Sequence, residues 1–257
     1  MSKRFQLLLI GAAAGVVLIA ALSAVLEGGS TLAQVVLDMP KDPKDSPFPY
    51  PFTIQNLMTL LLCIGLGDVL HRFTEARGHA RLVTLKLLPE DERTVLMPED
   101  LASIRKAALG HAAKSQAFLP SLINDCVLRF QSSGAIDQTH NVLSSLVDLQ
   151  MHKVDLRYTL LRYLAWLLPT VGFVGTVVGI WLTLQMLGEA TDSIASDIPA
   201  LAGALAMSFT TTMMALIQSA ILVGFIQVTQ QLEETGVNKD ADYCLRNLIG
   251  RLYVPEK

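Results

Sequence analysis

Two long stretches of this chain carry no charge at all. From Leu164 to Leu187 it reads LAWLLPTVGFVGTVVGIWLTLQML, and from Ile198 to Val228 IPALAGALAMSFTTTMMALIQSAILVGFIQV, with no Asp, Glu, Lys, Arg or His in either. A bilayer crossing needs about 20 consecutive apolar residues, so each run predicts a membrane-spanning helix. Two shorter runs, Leu7 to Leu26 and Phe52 to Leu70, predict two more, the second charged only at Asp68 near its end. A signal peptide competes for the first run, because Ala21, Ser23 and Ala24 put small residues near its end. Signal cores hold only about 7 to 15 residues, which favours a span.

The polar positions between the runs orient them. Lys3 and Arg4 precede the first run, and His71, Arg72, Arg77, His79, Arg81 and Lys86 follow the second. The connectors Glu27 to Tyr50 and Gly188 to Asp197 are acid-rich, and the latter has Glu189, Asp192 and Asp197 without a Lys or Arg. Basic residues collect on the cytoplasmic side, so four spans with both termini cytoplasmic fit every loop. Pro47, Pro49 and Pro51 predict an extended, solvated connector without regular helix between the first two spans.

The segment of about 90 residues between the second and third spans is soluble in character and helical in period. Pro89-Glu-Asp-Glu and Pro98-Glu99-Asp100 both have proline followed by acids, a helix-start signal. Leu101, Ile104 and Ala108, then Leu119, Leu122, Ile123, Cys126, Val127 and Phe130, recur at three and four, and Gly134 predicts a helix end. Leu143, Val147, Met151, Val154, Tyr158 and Leu161 then lead into the third span without a break. One helix from Ile136 to Leu187 would be on the order of 75 Å long, against a hydrocarbon thickness of about 30 Å, so it must project from the membrane. Pro169 predicts a kink in it. The division expected is an all-α membrane protein with an N-terminal hairpin over 1–70 (spans about 7–26 and 52–70), a cytoplasmic helical segment over 71–160, a two-span core over 161–230 and an amphipathic cytoplasmic tail over 231–257.

Composition agrees with membrane residence: 257 residues, 51% hydrophobic and 17% charged, with a mean hydropathy of +0.44. A net charge of −3 gives no reason to expect nucleic acid. Cys63, Cys126 and Cys244 form no CxxC pair and read as small buried side chains. The histidines His71, His79, His111, His140 and His152 are scattered and read as solvated. No phosphate loop, HExxH or defensible carboxylate pair is present, so no catalytic residue, metal or cofactor is expected.

The spans themselves are not uniformly greasy. Gly172, Thr176, Gly179 and Thr183 share one face of the third, where Gly175 and Gly179 make a GxxxG pair. Ser208, Thr212, Ala215 and Ser219 repeat at helical spacing on the fourth. Small faces let helices approach closely in lipid. The hydroxyls of Thr176, Ser208, Thr211 and Thr212 could line an ion path or merely bond their own backbone, and spacing leaves the two open. A proton relay through lipid needs ionisable groups facing the bundle interior. Spans one, three and four contain none.

The pattern P-x-x-G-x-x-G-T-V-x-G-I from Pro169 to Ile180, followed after a short acidic loop by a helix carrying Thr211-Thr212 and Ala215-Leu216, resembles the MotA/TolQ/ExbB proton-channel family. The resemblance covers about a quarter of the chain, and Ala215 stands where many relatives have glycine. It implies five copies of this subunit around two copies of a single-span MotB/ExbD/TolR-like partner whose membrane Asp supplies the missing acid, in a bacterial inner membrane. Thr176 and Thr212 would line the chamber around that Asp, and Gly172, Gly175, Gly179, Ala215 and Ser219 would pack the helices. The two added spans and large loop look like the flagellar-stator branch. The Glu that the siderophore-import branch carries five residues before its helix-four threonine is Met207 here, so the channel would depend wholly on the partner's acid. Protons are the expected ion, with sodium open. Arg72, Arg77, Arg105 and Lys106 are rotor-contact candidates that otherwise read as a solvated face. The reading that follows is an ion-driven motor subunit; its rival is a passive scaffold whose small faces serve packing alone.

Overall fold

The computed structural model describes residues 3–28, 30–39, 50–80, 87–91, 94–112, 117–189 and 194–253. Among the described residues there are seven α-helices: α1 (Lys3–Val25), α2 (Thr31–Leu37), α3 (Ile54–Ala80), α4 (Asp100–Ala112), α5 (Phe118–Ser133), α6 (Ile136–Glu189) and α7 (Ile194–Asn247), followed by a 3-10 turn at Ile249–Arg251. Among the described residues there is no strand. Four helices, α1, α3, α6 and α7, are long and apolar enough to cross a membrane. The fold is therefore the all-α, four-span architecture that the hydropathy pattern predicts. The middle of the first connector (residues 40–49), Arg81, Lys86 and the centre of the acidic loop (190–193) lie outside the described residues.

The helices gather into two compact units, one of Met1–His71 with Thr159–Gln227, the other of Arg72–Tyr158 with Val228–Lys257. In the first, α1 meets α3 through glycine. A Cβ at Gly11 would come 3.0 Å from Ile64 Cα, and one at Gly15 would come 3.1 Å from Cys63 Cβ. The outer face of α6, with Trp166, Phe173, Val177, Trp181 and Leu184, is exposed, as expected of a surface whose solvent is lipid.

The connector after α1 departs from expectation. Instead of extended chain throughout, it forms α2, because the prolines that forbid helix start only at Pro40. Ser30 caps α2 by accepting the Ala33 N–H at 3.2 Å. Asp38, at φ 53°, closes it with its N–H on the Gln34 carbonyl. Ala33 and Leu37 are fully buried, and Thr53 Oγ1 donates to the Leu37 carbonyl at 2.9 Å.

The second unit is built around α4, α5 and the apolar face of α6 outside the uncharged runs. Asp100 opens α4 by accepting the Met97 N–H on its carboxylate at 3.1 Å. Gly134 ends α5 in the left-handed region, φ 62°, with its N–H on the Phe130 carbonyl at 2.8 Å. Leu101, Ile104, Ala108, Leu119, Leu122, Ile123, Cys126, Val127, Phe130 and Leu143 fill the core, joined by Cys244, Leu248, Ile249 and Leu252. Burying one such leucine is worth about 1.5 to 3 kcal/mol.

Two further expectations fail here. The Pro89 segment starts no helix: residues 87–91 are irregular, and Leu96 instead makes a single parallel bridge to Leu252. A run this short before Pro98 does not hold a helix alone, and its leucines are worth more in the core. Arg72 is not on a solvated face; it is 6% exposed and stacks its guanidinium 5.3 Å from the centroid of the buried Tyr158 ring.

Candidate functional site

The site is the contact between the small faces of α6 and α7. Gly172, Gly175 and Gly179 of α6 each meet a side chain of α7, in opposite chain directions. A Cβ at Gly179 would fall on Ser208 Oγ, one at Gly175 would lie 2.9 Å from Thr211 Oγ1, and one at Gly172 would fall on Ala215 Cβ. At Gly172 the backbone crowds that point too, with Thr211 O at 3.1 Å and Thr212 Cα at 3.3 Å, and backbone cannot rotate away. Glycine here creates close approach, as helix packing without a hydrophobic force requires.

That approach brings the hydroxyls together. Thr176, Thr211 and Ser208 are buried, at 8%, 7% and 4% exposure, and Thr212 is half-buried. Thr176 Oγ1 donates across the contact to the Ser208 carbonyl at 2.9 Å. Thr211 Oγ1 donates to that same carbonyl at 2.8 Å, and Thr212 Oγ1 to the Gly172 carbonyl at 3.1 Å. The hydroxyls of Thr176 and Thr212 are in direct contact, and Thr176 lies 3.4 Å from Thr211 Oγ1. The four residues named from sequence as path-lining thus lie at one place.

What this hydroxyl cluster can do follows from proton counting. Each threonine has one proton to give and two lone pairs to offer. Two backbone carbonyls accept hydrogen bonds from the three threonine hydroxyls, so the threonine oxygens keep acceptor capacity toward a hydrogen-bond donor while the cluster itself stays neutral. It can solvate a protonated acid or a hydrated proton; it cannot supply the acid. Among the described residues no group of three or more His, Cys, Asp or Glu side chains comes together to hold a metal.

Two features sharpen the site. Pro169 lies inside the unbroken α6. Lacking an N–H, it leaves the carbonyl four residues back, Ala165, without its helical donor. Ser219 Oγ on α7 donates to that carbonyl at 2.8 Å. Ser219 therefore does more than pack: it replaces the missing backbone bond. Thr183, on the same stripe, bonds its own helix at the Gly179 carbonyl, 2.8 Å.

The second feature is one that sequence reasoning misses. Gln218 is buried in the apolar run of α7 and donates to Thr59 of α3 at 3.4 Å. Gln55 and Asn56 of α3 are also buried. The side-chain oxygens of Gln218, Gln55 and Asn56 have no hydrogen-bond partner among the described residues. A search for charge passes over amides because they are neutral. The usable signal is spacing, since Gln218 follows Thr211 by seven residues, two turns on the same face.

Comparison with known proteins gives one result. The family model of the MotA/TolQ/ExbB proton channel family matches residues 112–239, about half of the chain, including all of this contact. Neither a curated protein nor a solved structure matches.

Proposed function

We propose that this chain, which belongs to the MotA/TolQ/ExbB proton channel family, is the pore-lining subunit of an ion-driven motor in a bacterial inner membrane. In this reading both termini are cytoplasmic and residues 161–230 form the channel core. Several copies, five by the family pattern, surround a MotB/ExbD/TolR-like single-span partner whose membrane Asp faces Thr176 and Thr212. Protons pass between that Asp and the hydroxyls, and the ring turns about the partner as the acid is charged and discharged. The chain does no catalysis and needs no cofactor.

The observation that carries the reading is the neutral hydroxyl cluster itself. Thr176, Thr211, Thr212 and Ser208 converge at a glycine-lined contact in two helices whose spanning runs have no ionisable side chain. Polar groups in lipid are costly, and those kept there usually face a partner or a water-filled path. A passive scaffold is the second reading, favoured by the bonds that Thr211 and Thr212 make to the Ser208 and Gly172 carbonyls, which serve packing alone.

Thr212→Val separates the two, because it keeps the volume and removes the oxygen. Ion flux through the chain reconstituted with its partner should fall at least about tenfold, the effect of about 1.4 kcal/mol in a barrier, with assembly unchanged. Full flux in the variant would end the role given to the Thr212 hydroxyl, and no flux through the wild-type complex would leave the scaffold reading standing.

A further inference from the structure

The unit formed by Arg72–Tyr158 and Val228–Lys257 holds a charge cluster that the hydroxyl cluster does not use. Glu233, on the part of α7 beyond the uncharged run, has a side chain only 8% exposed. Its Oε2 lies 3.5 Å from Arg157 of α6 and has no hydrogen-bond partner among the described residues. Tyr158 sits beside it beneath the Arg72 guanidinium of α3, and Glu75 of α3 adds a negative charge nearby. Next to this group is a cavity of about 220 Å³ lined by Glu75, Arg77, Arg157, Glu233, Lys239 and Asp240, among apolar side chains. A water needs only about 10 to 15 Å³ of such space, so several fit.

We propose that Glu233 and Asp240 form a proton-binding site, loaded and unloaded through water in this cavity. The two acids are seven residues apart, on one face of α7 and about 10 Å along its axis. The lining acids Glu75, Glu233 and Asp240 are matched in number by Arg77, Arg157 and Lys239, so the cavity has no excess charge to hold a metal or anion. A proton is the ligand that suits it, because burial of the Glu233 carboxylate, with Glu75 nearby, outweighs the attraction of Arg157 and Arg72.

The electrostatics agree. Burial pushes the Glu233 carboxyl above its usual range, Arg157, the Tyr158 hydroxyl and Arg72 pull it back, and Glu75 pushes it further up. Burial pushes Asp240 up to about 7. Burial and then Glu233 raise the Tyr158 hydroxyl, so it remains a donor. Protonating Glu233 removes its attraction to Arg157, so one proton undoes the ion pair between α6 and α7. Raised carboxyls make the folded chain bind more protons than the unfolded one. Their contribution to stability is complete below the ordinary carboxylate range and is lost as pH rises through the raised values.

The site belongs to this unit alone and stands whether or not the hydroxyl contact conducts. Its test is an infrared pH titration of the full chain in lipid nanodiscs, from about pH 5 to about pH 9, following the carbonyl stretch of protonated carboxyls. Glu233→Gln and Asp240→Asn should each remove one component of that band, and Arg157→Ala should move the Glu233 component to higher pH. Should Glu233→Gln fail to fold, the Asp240→Asn spectrum decides, with Asp240→Asn also more stable than the wild type above about pH 7. A titration unchanged by the variants, or acids titrating in the ordinary range of about 3.9 to 4.3, overturns the proposal.

Discussion

Ser219→Ala removes one hydroxyl from a helix contact and no volume that matters. In the wild type that hydroxyl bonds the Ala165 carbonyl at 2.8 Å, and Pro169 prevents α6 from supplying any other donor. The carbonyl belongs to a residue 6% exposed within an apolar run, where water does not replace the lost donor. An orphaned buried acceptor costs about 1 to 3 kcal/mol, while cross-helix bonds in membrane proteins average about 0.6 and reach about 1.7 kcal/mol. Ser219→Ala should therefore cost about 1 to 2 kcal/mol. The decisive comparison is the same substitution in a Pro169→Ala background. An alanine in place of the proline brings back the N–H, the helix satisfies the Ala165 carbonyl itself, and the loss of the Ser219 hydroxyl should cost less than about 0.5 kcal/mol. Unfolding free energies from detergent titration followed by circular dichroism give the four corners of the cycle. The expected coupling is about 1 kcal/mol. Simple additivity, within the roughly 0.3 to 0.5 kcal/mol seen for independent sites, would show that Ser219 does not stand in for the proline's missing donor.

Other expectations follow from the same contacts. Gly172→Ala places a methyl on Ala215 and against the α7 backbone, so it should cost about 1 to 3 kcal/mol by overpacking; Ala215→Gly in the same chain should recover most of it, measured by the same unfolding assay. Cys126 and Cys244 are fully buried, with the Cys126 thiol pushed up to about 12 by burial and then Asp125. Both should resist maleimide in the folded protein and react at the rate of unfolding, read by mass spectrometry. Arg251 donates to the carbonyls of Pro89 at 2.8 Å, Glu90 at 3.3 Å and Asp91. Arg251→Ala should cost about 1.5 to 3 kcal/mol, as for bonds to a charged group, and open the segment before α4 to limited proteolysis.

Much of this architecture is legible because membrane and helix constraints are local. Four apolar runs become four long helices, since lipid leaves a chain few other ways to satisfy its backbone. Gly134 ends α5 because the left-handed region it occupies is readily open only to glycine. The stripes that carry Thr176 and Thr212 are visible as helical spacing, though which residues meet across them is not. What stays hidden depends on contacts distant in sequence. Nothing around Arg72 announces that Tyr158 lies beneath it, and a cation after a span reads as solvated until the ring is known. Ser219 looks like any small packing residue until Ala165 is seen to need a donor. The GxxxG at Gly11 and Gly15 is readable, but it sits in a run that hydropathy alone presents as an anchor. α2 is hidden because the prolines of its connector colour the residues before them, which they do not govern.

The return of the chain to its own earlier segment sets an order on how it is made. Leu252 and Tyr253 pair with Leu96, and Tyr243 bonds the backbone of Leu88, at sequence separations of 155 to 157 residues. A ribosome delivers the first side of that joint early and the second only after both 54-residue helices have been synthesised. The leucines of α4 and α5 therefore wait, incompletely covered, through the whole insertion of the α6 and α7 hairpin. Maturation of the polar unit becomes a report that insertion has finished, and a chain stalled at the last span exposes a face that quality-control proteases can read.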